Sequence, residues 1–196
     1  MLGSIKDFKY KLVKNFLTKE ETELLKQFTI LFHQRNDSSF DTKQSITMDT
    51  MDYGNPATDA LLITKRKKME EETKLKLNPT YSFWRMYTKY AVLKKHKDRP
   101  SCEISCTVMV GSDNTPWPIY MAGTLIEMQP GDAAIYLGCD VEHWREEFQG
   151  DWHSQIFLHY VDANGPFKDY QNDQREITET GFENRLNAKL PDRIQP

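Results

Sequence analysis

Apolar residues in the first part of the chain recur at helical spacing, whereas from Tyr81 onward they alternate or gather in short runs. Thr18-Lys19-Glu20-Glu21 has the spacing of a capping box. Leu24, Leu25, Phe28, Leu31 and Phe32 follow three or four apart, so a packing helix is predicted over about 18–34. A second helix is predicted over 57–76, opening on Ala60, Leu61, Leu62 and Ile63. It is expected to stop before Asn78-Pro79, because the residue preceding a proline avoids helical geometry. Arg66, Lys67 and Lys68 precede Glu70, Glu71 and Glu72 by four positions, which sets up i,i+4 pairs along a solvated face. Weak alternation over 8–13 predicts a first strand. The polar stretch 35–55 reads as a long loop, and a loop of that length inside a compact domain is a candidate cover for an active site.

Beyond it, short strands are predicted at 81–87, 92–98, 101–110, 116–120, 124–128, 133–137 and 152–161. The clearest runs from Ser101 to Val110. Cys102, Ile104, Cys106, Val108 and Val110 alternate with Ser101, Glu103, Ser105 and Thr107, the pattern of a half-buried strand. Gly111-Ser112-Asp113-Asn114 is a turn cluster. Seven or eight short strands imply a sandwich or barrel. The expected fold class is α+β, mainly β. It is a single domain over 1–196, with a helical N-terminal part (about 1–79), a jelly-roll core (about 80–162) and a polar C-terminal arm (about 163–196). Burial of Phe167, Tyr170 and Phe182 decides whether that arm packs across the barrel.

Composition narrows the function. The chain has 196 residues, 38% hydrophobic and 28% charged, with a net charge of -3, so it suits one packed core and offers no strong phosphate-binding surface. No nucleic-acid partner is expected. No apolar run reaches the length of a membrane span, and the N-terminus lacks the apolar core of a signal peptide. Three cysteines, Cys102, Cys106 and Cys139, form neither a disulfide framework nor a Cys-x-x-Cys pair. The expectation is reduced thiols and an intracellular, cytoplasmic protein without a membrane partner.

The candidate chemistry lies in two stretches. His96 and Asp98 are two residues apart, and on an extended strand such positions point to one face. His143 follows the run Gly131-Asp132-Ala133-Ala134-Ile135-Tyr136-Leu137 and would bring a second imidazole from a distant strand. Two histidines and one carboxylate on one side of a metal leave coordination positions open, the ligand set of non-haem Fe(II) oxygenases. His153 and His159 are the alternatives to His143. His159 is expected to pack late in the last strand, and His33 to face solvent.

The stretch Leu77-Asn78-Pro79-Thr80-Tyr81-Ser82-Phe83-Trp84-Arg85-Met86-Tyr87, followed by His96-x-Asp98-Arg99-Pro100-Ser101-Cys102-Glu103-Ile104-Ser105, resembles the 2-oxoglutarate/Fe(II)-dependent dioxygenases of the prolyl 4-hydroxylase-like branch. Gly131-Asp132 before an apolar strand, then His143 and the turn at Gly150, is similar to the C-terminal half of the same family. The resemblance covers about 77–162. It implies a cupin-like double-stranded β-helix (jelly roll) with N-terminal packing helices, holding Fe(II) through His96, Asp98 and His143. It also implies 2-oxoglutarate and O2 as co-substrates, with succinate and CO2 released as a substrate C–H bond is hydroxylated. The substrate would be a peptide or a small molecule: peptidyl proline is the branch's best-known target, and other amino-acid side chains, free amino acids and small metabolites stay open.

The sequence departs from the family at the anchor for the far carboxylate of 2-oxoglutarate. Prolyl hydroxylases carry Lys or Arg nine or ten residues after the distal histidine, where this chain has Trp152 and His153. Arg145, Arg99 and a protonated His153 are the candidates, and Arg145 is preferred. The competing reading of either arginine is an ion pair with Glu142, Glu146 or Glu103. Tyr87 matches a family tyrosine that meets the co-substrate, although a core tyrosine would look the same. Trp84, Trp144 and Trp152 are candidates for a substrate groove, without assignment. Two other functions stay open: a cupin-like metalloprotein that binds a small molecule without oxidising it, and a metal-free β-sandwich interaction module. The first binds metal without consuming 2-oxoglutarate. The second has no metal affinity.

Overall fold

A computed structural model describes residues 4–35 and 49–174. In chain order these residues form α1 (Ile5–Phe8), β1 (Tyr10–Val13), α2 (Lys19–Arg35), β2 (Thr50–Tyr53), α3 (Pro56–Thr73), β3 (Leu77–Thr88) and β4 (Leu93–His96). There follow β5 (Ile104–Ser112), β6 (Ile119–Met121), β7 (Thr124–Ile126), β8 (Ala133–Leu137), β9 (His143–Arg145) and β10 (Trp152–Asp162). Short 3-10 turns lie at Pro100–Cys102 and Lys168–Gln174. No helix among the described residues is long and apolar enough to cross a membrane.

Antiparallel pairing gives a six-stranded sheet, β1-β8-β5-β10-β3-β2, and a four-stranded sheet, β4-β9-β6-β7. The sheets face each other. The Tyr136 ring of β8 lies 4.8 Å from the His143 ring of β9, and the Tyr87 ring of β3 lies 4.8 Å from that of Trp117, before β6. The outer face of the six-stranded sheet is the main core. Trp84 sits edge-on to Phe28 and Phe32 of α2, at 5.9 and 5.2 Å. Tyr160 donates its hydroxyl to the Leu62 carbonyl of α3 at 2.6 Å. Ile104, Cys106, Val108, Ile156 and Leu158 are fully buried beside them, each such apolar side chain stabilising the fold by about 1.5–3 kcal/mol.

The helices form for local reasons that are legible in the chain. Thr18 accepts from the Glu21 amide at 3.1 Å, while Glu21 accepts from the Thr18 amide at 2.8 Å, completing the capping box. Asn55 caps α3 by accepting from the Ala57 amide at 3.0 Å, with Pro56 in the first turn. The end of α3 differs from expectation. Lys74 adopts a left-handed conformation (φ 60°) and donates to the Glu70 carbonyl, so the helix stops at Thr73. Pro79 lies inside β3, beside a register shift where Thr80 has no partner on β10, a place in a sheet where a missing amide proton is tolerated. Of the anticipated charge pairs, Arg66–Glu70 is present at 3.5 Å. Lys68 instead donates to the Phe16 carbonyl at 2.9 Å, and Glu72 pairs with Lys11.

Other expectations are corrected. Leu24 and Leu31 are exposed, because α2 turns Leu25 and Phe28 inward. The presumed loop 35–55 contains β2, which pairs with β3; its residues 36–48 lie outside the described residues. His33 is half-buried, its Nδ1 2.6 Å from the Thr50 hydroxyl. The first strand is shorter than 8–13, since α1 takes Phe8. The strand around Ser101–Val110 begins only at Ile104 and is buried on both faces, not half-buried. Its polar positions, Ser105 and Thr107, face the space between the sheets. In the arm, Phe167 and Tyr170 are partly buried, and the 3-10 turn that follows packs near β3; Phe182 lies outside the described residues.

That inner space also holds a buried ion pair. Arg85 of β3 donates Nε to Asp49 Oδ2 at 2.8 Å, with Nη2 at 2.7 Å from the same oxygen, and both residues are within 1% of full burial. Replacing Asp49→Ala strands a guanidinium in the interior and is expected to cost about 3–5 kcal/mol. Urea denaturation measures this, and a loss below 1 kcal/mol would mean that water reaches Arg85.

Candidate metal centre and its pocket

His96 ends β4 and is directly opposite His143, the first residue of β9. Their rings lie 4.3 Å apart. Each ring is turned by its own backbone. His96 donates Nδ1–H to the Lys94 carbonyl at 2.6 Å, and His143 donates Nδ1–H to the Val141 carbonyl at 3.0 Å. A carbonyl only accepts, so each Nδ1 carries a proton and each Nε2 is the ring atom left for a metal. Both Nε2 atoms face Asp98 Oδ1, at 3.5 Å from His96 and 3.7 Å from His143. All three donor atoms lie within 4.8 Å of one another.

Asp98 does not share a strand with His96, as the sequence suggested. It lies just beyond β4, and its amide donates to the Gly138 carbonyl at 2.9 Å. That backbone bond, not strand alternation, brings the carboxylate to the histidines. Burial alone would raise the Asp98 pKa, but His96, His143, His159 and Ser105 together hold it below the ordinary carboxylate range. Burial pushes His143 down and keeps it neutral, while the neighbouring carboxylate raises His96. An ionised carboxylate and neutral imidazoles are the forms that bind a cation.

The three residues border a pocket of 260 Å³ that is also lined by Tyr87, Leu93, Ile119, Tyr136, Tyr81, Phe83 and Phe157. A second cavity of 170 Å³ has a wall that includes Arg145, His153, Gln155, Trp117 and Met109. His143 and Arg145 are alternate residues of β9 and both are buried, so they share its inward face. Tyr87, against the Trp117 ring, stands between the two spaces.

Arg145 makes none of the anticipated ion pairs. Glu142 binds Lys95 at 2.9 Å, Glu146 accepts from the Trp144 indole at 2.9 Å and Glu103 accepts from the Asp162 amide at 2.8 Å. The Arg145 guanidinium stacks over the Trp117 ring at 4.7 Å and donates Nη1 to the Trp117 carbonyl. Its Nη2 is buried without a hydrogen-bond partner among the described residues. Burial lowers its pKa to about 10, which leaves it charged at neutral pH. His153 accepts from Gln155 Nε2 at Nε2, 2.8 Å away, so its proton is on Nδ1, which is also buried and unpartnered. Burial, reinforced by Arg145, pushes its pKa well below the usual histidine value. His153 is therefore a neutral donor, not the cation considered from the sequence. Two orphan donors on one cavity wall, one carrying a full charge, fit a carboxylate.

Arg99 points elsewhere. It grips Asp173 through two bonds of 2.9 and 2.8 Å and stacks on Tyr81. Trp84 belongs to the outer core. Trp144 stacks on Tyr120 at 5.0 Å, away from the inward face shared by His143 and Arg145. Sequence reasoning passed over Ser105, Trp117, Tyr136, Gly138 and Gln155. For Ser105 the signal was present, since the polar half of an alternating strand can line a site as well as face water.

No protein-family model matches the chain, and no curated protein matches it in sequence. Solved structures do. A prolyl-4-hydroxylase from Pseudomonas putida aligns over 79% of this chain and 92% of its own, with 14% identity and a TM-score of 0.64. The viral collagen prolyl hydroxylase of Paramecium bursaria Chlorella virus-1, in its 2-oxoglutarate complex, covers 81% of this chain and 98% of its own at 12% identity and TM-score 0.62. A Trichoplax adhaerens prolyl hydroxylase, solved with a hypoxia-inducible-factor peptide, covers 88% and 90% at 10% identity and TM-score 0.62. At such identities the likeness is one of fold. The chain has the double-stranded β-helix of the prolyl hydroxylase-like 2-oxoglutarate/Fe(II) oxygenases.

Gly138 has no room for a side chain. A Cβ there would stand 2.1 Å from the Cys102 carbonyl oxygen, 2.7 Å from Asp98 Oδ2 and 2.9 Å from Ser105 Oγ. Gly138→Ala is expected to destabilise the fold by roughly 1–3 kcal/mol, read as a lowered denaturation midpoint. An unchanged midpoint would show that the loop bearing Asp98 yields freely.

Proposed function

We propose that the chain is a single Fe(II)- and 2-oxoglutarate-dependent dioxygenase domain that hydroxylates an unactivated C–H bond. One observation carries this reading: three ligand atoms, the Nε2 atoms of His96 and His143 and a carboxylate oxygen of Asp98, converge within 4.8 Å of one another at the edge of a pocket. A metal cation held there would engage all three at once. The donor set, imidazole and carboxylate without thiolate, suits Fe(II). When bound, iron would let O2 act as the oxidant: 2-oxoglutarate supplies two electrons in becoming succinate and CO2, the substrate C–H bond supplies the other two, and one oxygen atom enters each product.

The chain's own residues do the rest. His96, Asp98 and His143 hold the metal on one side and leave its other side toward the pocket. Arg145 anchors the far carboxylate of 2-oxoglutarate, and the His153 Nδ1–H adds a second donor. Tyr87, at the boundary of the two spaces, orients the co-substrate along its length. This arrangement replaces the cation that prolyl hydroxylases carry on the strand of His153 with one from the strand of His143. Met51, Tyr53, Tyr81, Phe83 and Phe157 form an apolar and aromatic wall that keeps bulk water from the reacting carbon. The expected substrate is a peptide or small molecule, with a prolyl or other amino-acid side chain as the narrower proposal.

Anaerobic Fe(II)-loaded protein should develop a visible charge-transfer band on titration with 2-oxoglutarate, and oxygen should discharge it with formation of succinate. His96→Ala and Asp98→Ala should abolish both while the fold persists; normal turnover in either variant would refute the assigned centre. Arg145→Met should raise the KM for 2-oxoglutarate on the order of 30-fold, the equivalent of about 2 kcal/mol for a lost buried charge pair. A KM equal to that of the unmodified protein would move the anchor elsewhere.

A further inference from the structure

Behind the three proposed ligands lies a second set of contacts that involves none of the metal-facing atoms. Asp98 divides its carboxylate. Oδ1 faces the two histidines, whereas Oδ2 lies 3.0 Å from the Ser105 hydroxyl. Ser105 is fully buried on β5, opposite His159 of β10 in the strand register. Its Oγ is also 3.0 Å from the Cys102 carbonyl and 2.9 Å from His159 Nδ1.

Tyr136 brings its buried hydroxyl to the same cluster as a further donor beside Asp98 and Ser105; among Ser105, His159 and their acceptors, a proton count gives one arrangement. The Asp98 carboxylate and the Cys102 carbonyl can only accept, and the serine hydroxyl has one proton to give. Were His159 Nδ1 a third acceptor, three lone pairs would compete for that proton. With the proton of His159 on Nδ1, the ring donates to Ser105, and Ser105 donates onward toward Asp98. The ring borders the pocket and has aromatic neighbours. Tyr81 packs against it at 4.5 Å, and Phe157 lies parallel to it, 6.5 Å away. Gly138 closes the fourth side of the cradle.

We infer that Ser105 and His159 are positioning residues that pin Asp98 Oδ2 and so hold Asp98 to a single metal-facing oxygen. The inference rests on the metal centre proposed above and adds its regulation of coordination number. A carboxylate free to rotate can take a metal through both oxygens and fill a position that a co-substrate needs. A carboxylate whose second oxygen is engaged by a buried donor presents only the first. His159 thereby acts two bonds from the ligand, as the outer partners of metal ligands generally do.

The test uses the full chain loaded with Mn(II) for affinity and Co(II) for coordination. The unmodified protein should bind both, and His96→Ala should not. Ser105→Ala and His159→Leu should each weaken Mn(II) binding by about 10- to 100-fold. They should also change the intensity of the Co(II) visible bands, the signature of an altered coordination number. His159→Asn keeps an N–H donor near the position of Nδ1 and should recover most of the affinity and the original spectrum, which a purely packing role would not produce. Far-ultraviolet circular dichroism confirms that each variant is folded. If the unmodified protein binds metal, His96→Ala does not, and folded Ser105→Ala and His159→Leu bind as tightly as the parent with the same spectrum, the metal centre stands and this inference is overturned. A folded His159→Asn no better than His159→Leu likewise overturns the hydrogen-bond role. Absence of metal binding by the unmodified protein overturns the centre itself.

Discussion

The centre depends on the pairing of β4 with β9. These are short strands, far apart in sequence, and their register sets His96 directly against His143. A one-residue slip in either would turn its histidine to the opposite face. The strands alone are too short to secure that register. It is reinforced by bonds at either side: Asp98 to the Gly138 backbone, and the Val141 amide to the Leu137 carbonyl at 2.8 Å. The ends of β4 and β8 are thereby tied together, and the ligands follow.

The six-stranded sheet serves two interiors with one alternation. Along β3, β5 and β10 the apolar set faces the helices and makes the core. The other set, including Ser105, Thr107, Gln155 and Arg85, faces the second sheet. This polar interior is costly unless each group is partnered. Arg85 has Asp49, and Thr107 donates to Gln155 at 3.0 Å. Arg145 and His153 are the donors whose partners the described residues do not supply. These two orphan donors share one cavity wall, where a ligand of opposite charge would satisfy both.

Much of this was legible in the chain. The capping box at Thr18, the apolar run 133–137 and the aromatic last strand appear where their patterns place them, and His96, Asp98 and His143 converge. What escaped was tertiary. The Ser101–Val110 alternation reports a difference between two faces but not that both are buried. Pro79 marks a helix end by local rule, yet the left-handed Lys74 ends the helix first and an irregular register accommodates the proline. Arg145 carried no local sign of lacking a carboxylate, because Glu142 and Glu146 flank it in sequence and turn away in space.

The position of His96 has one further consequence. β4 is the outermost strand of its sheet, and an outermost strand is a template on which a second chain can add itself. Here that template is spoiled. The strand spans only Leu93–His96, its register is irregular, and Lys94 and Lys95 are exposed on it. Short length, distortion and like charge are the features that keep such edges from joining. The exposed lysines next to His96 therefore help keep the molecule from polymerising through this edge.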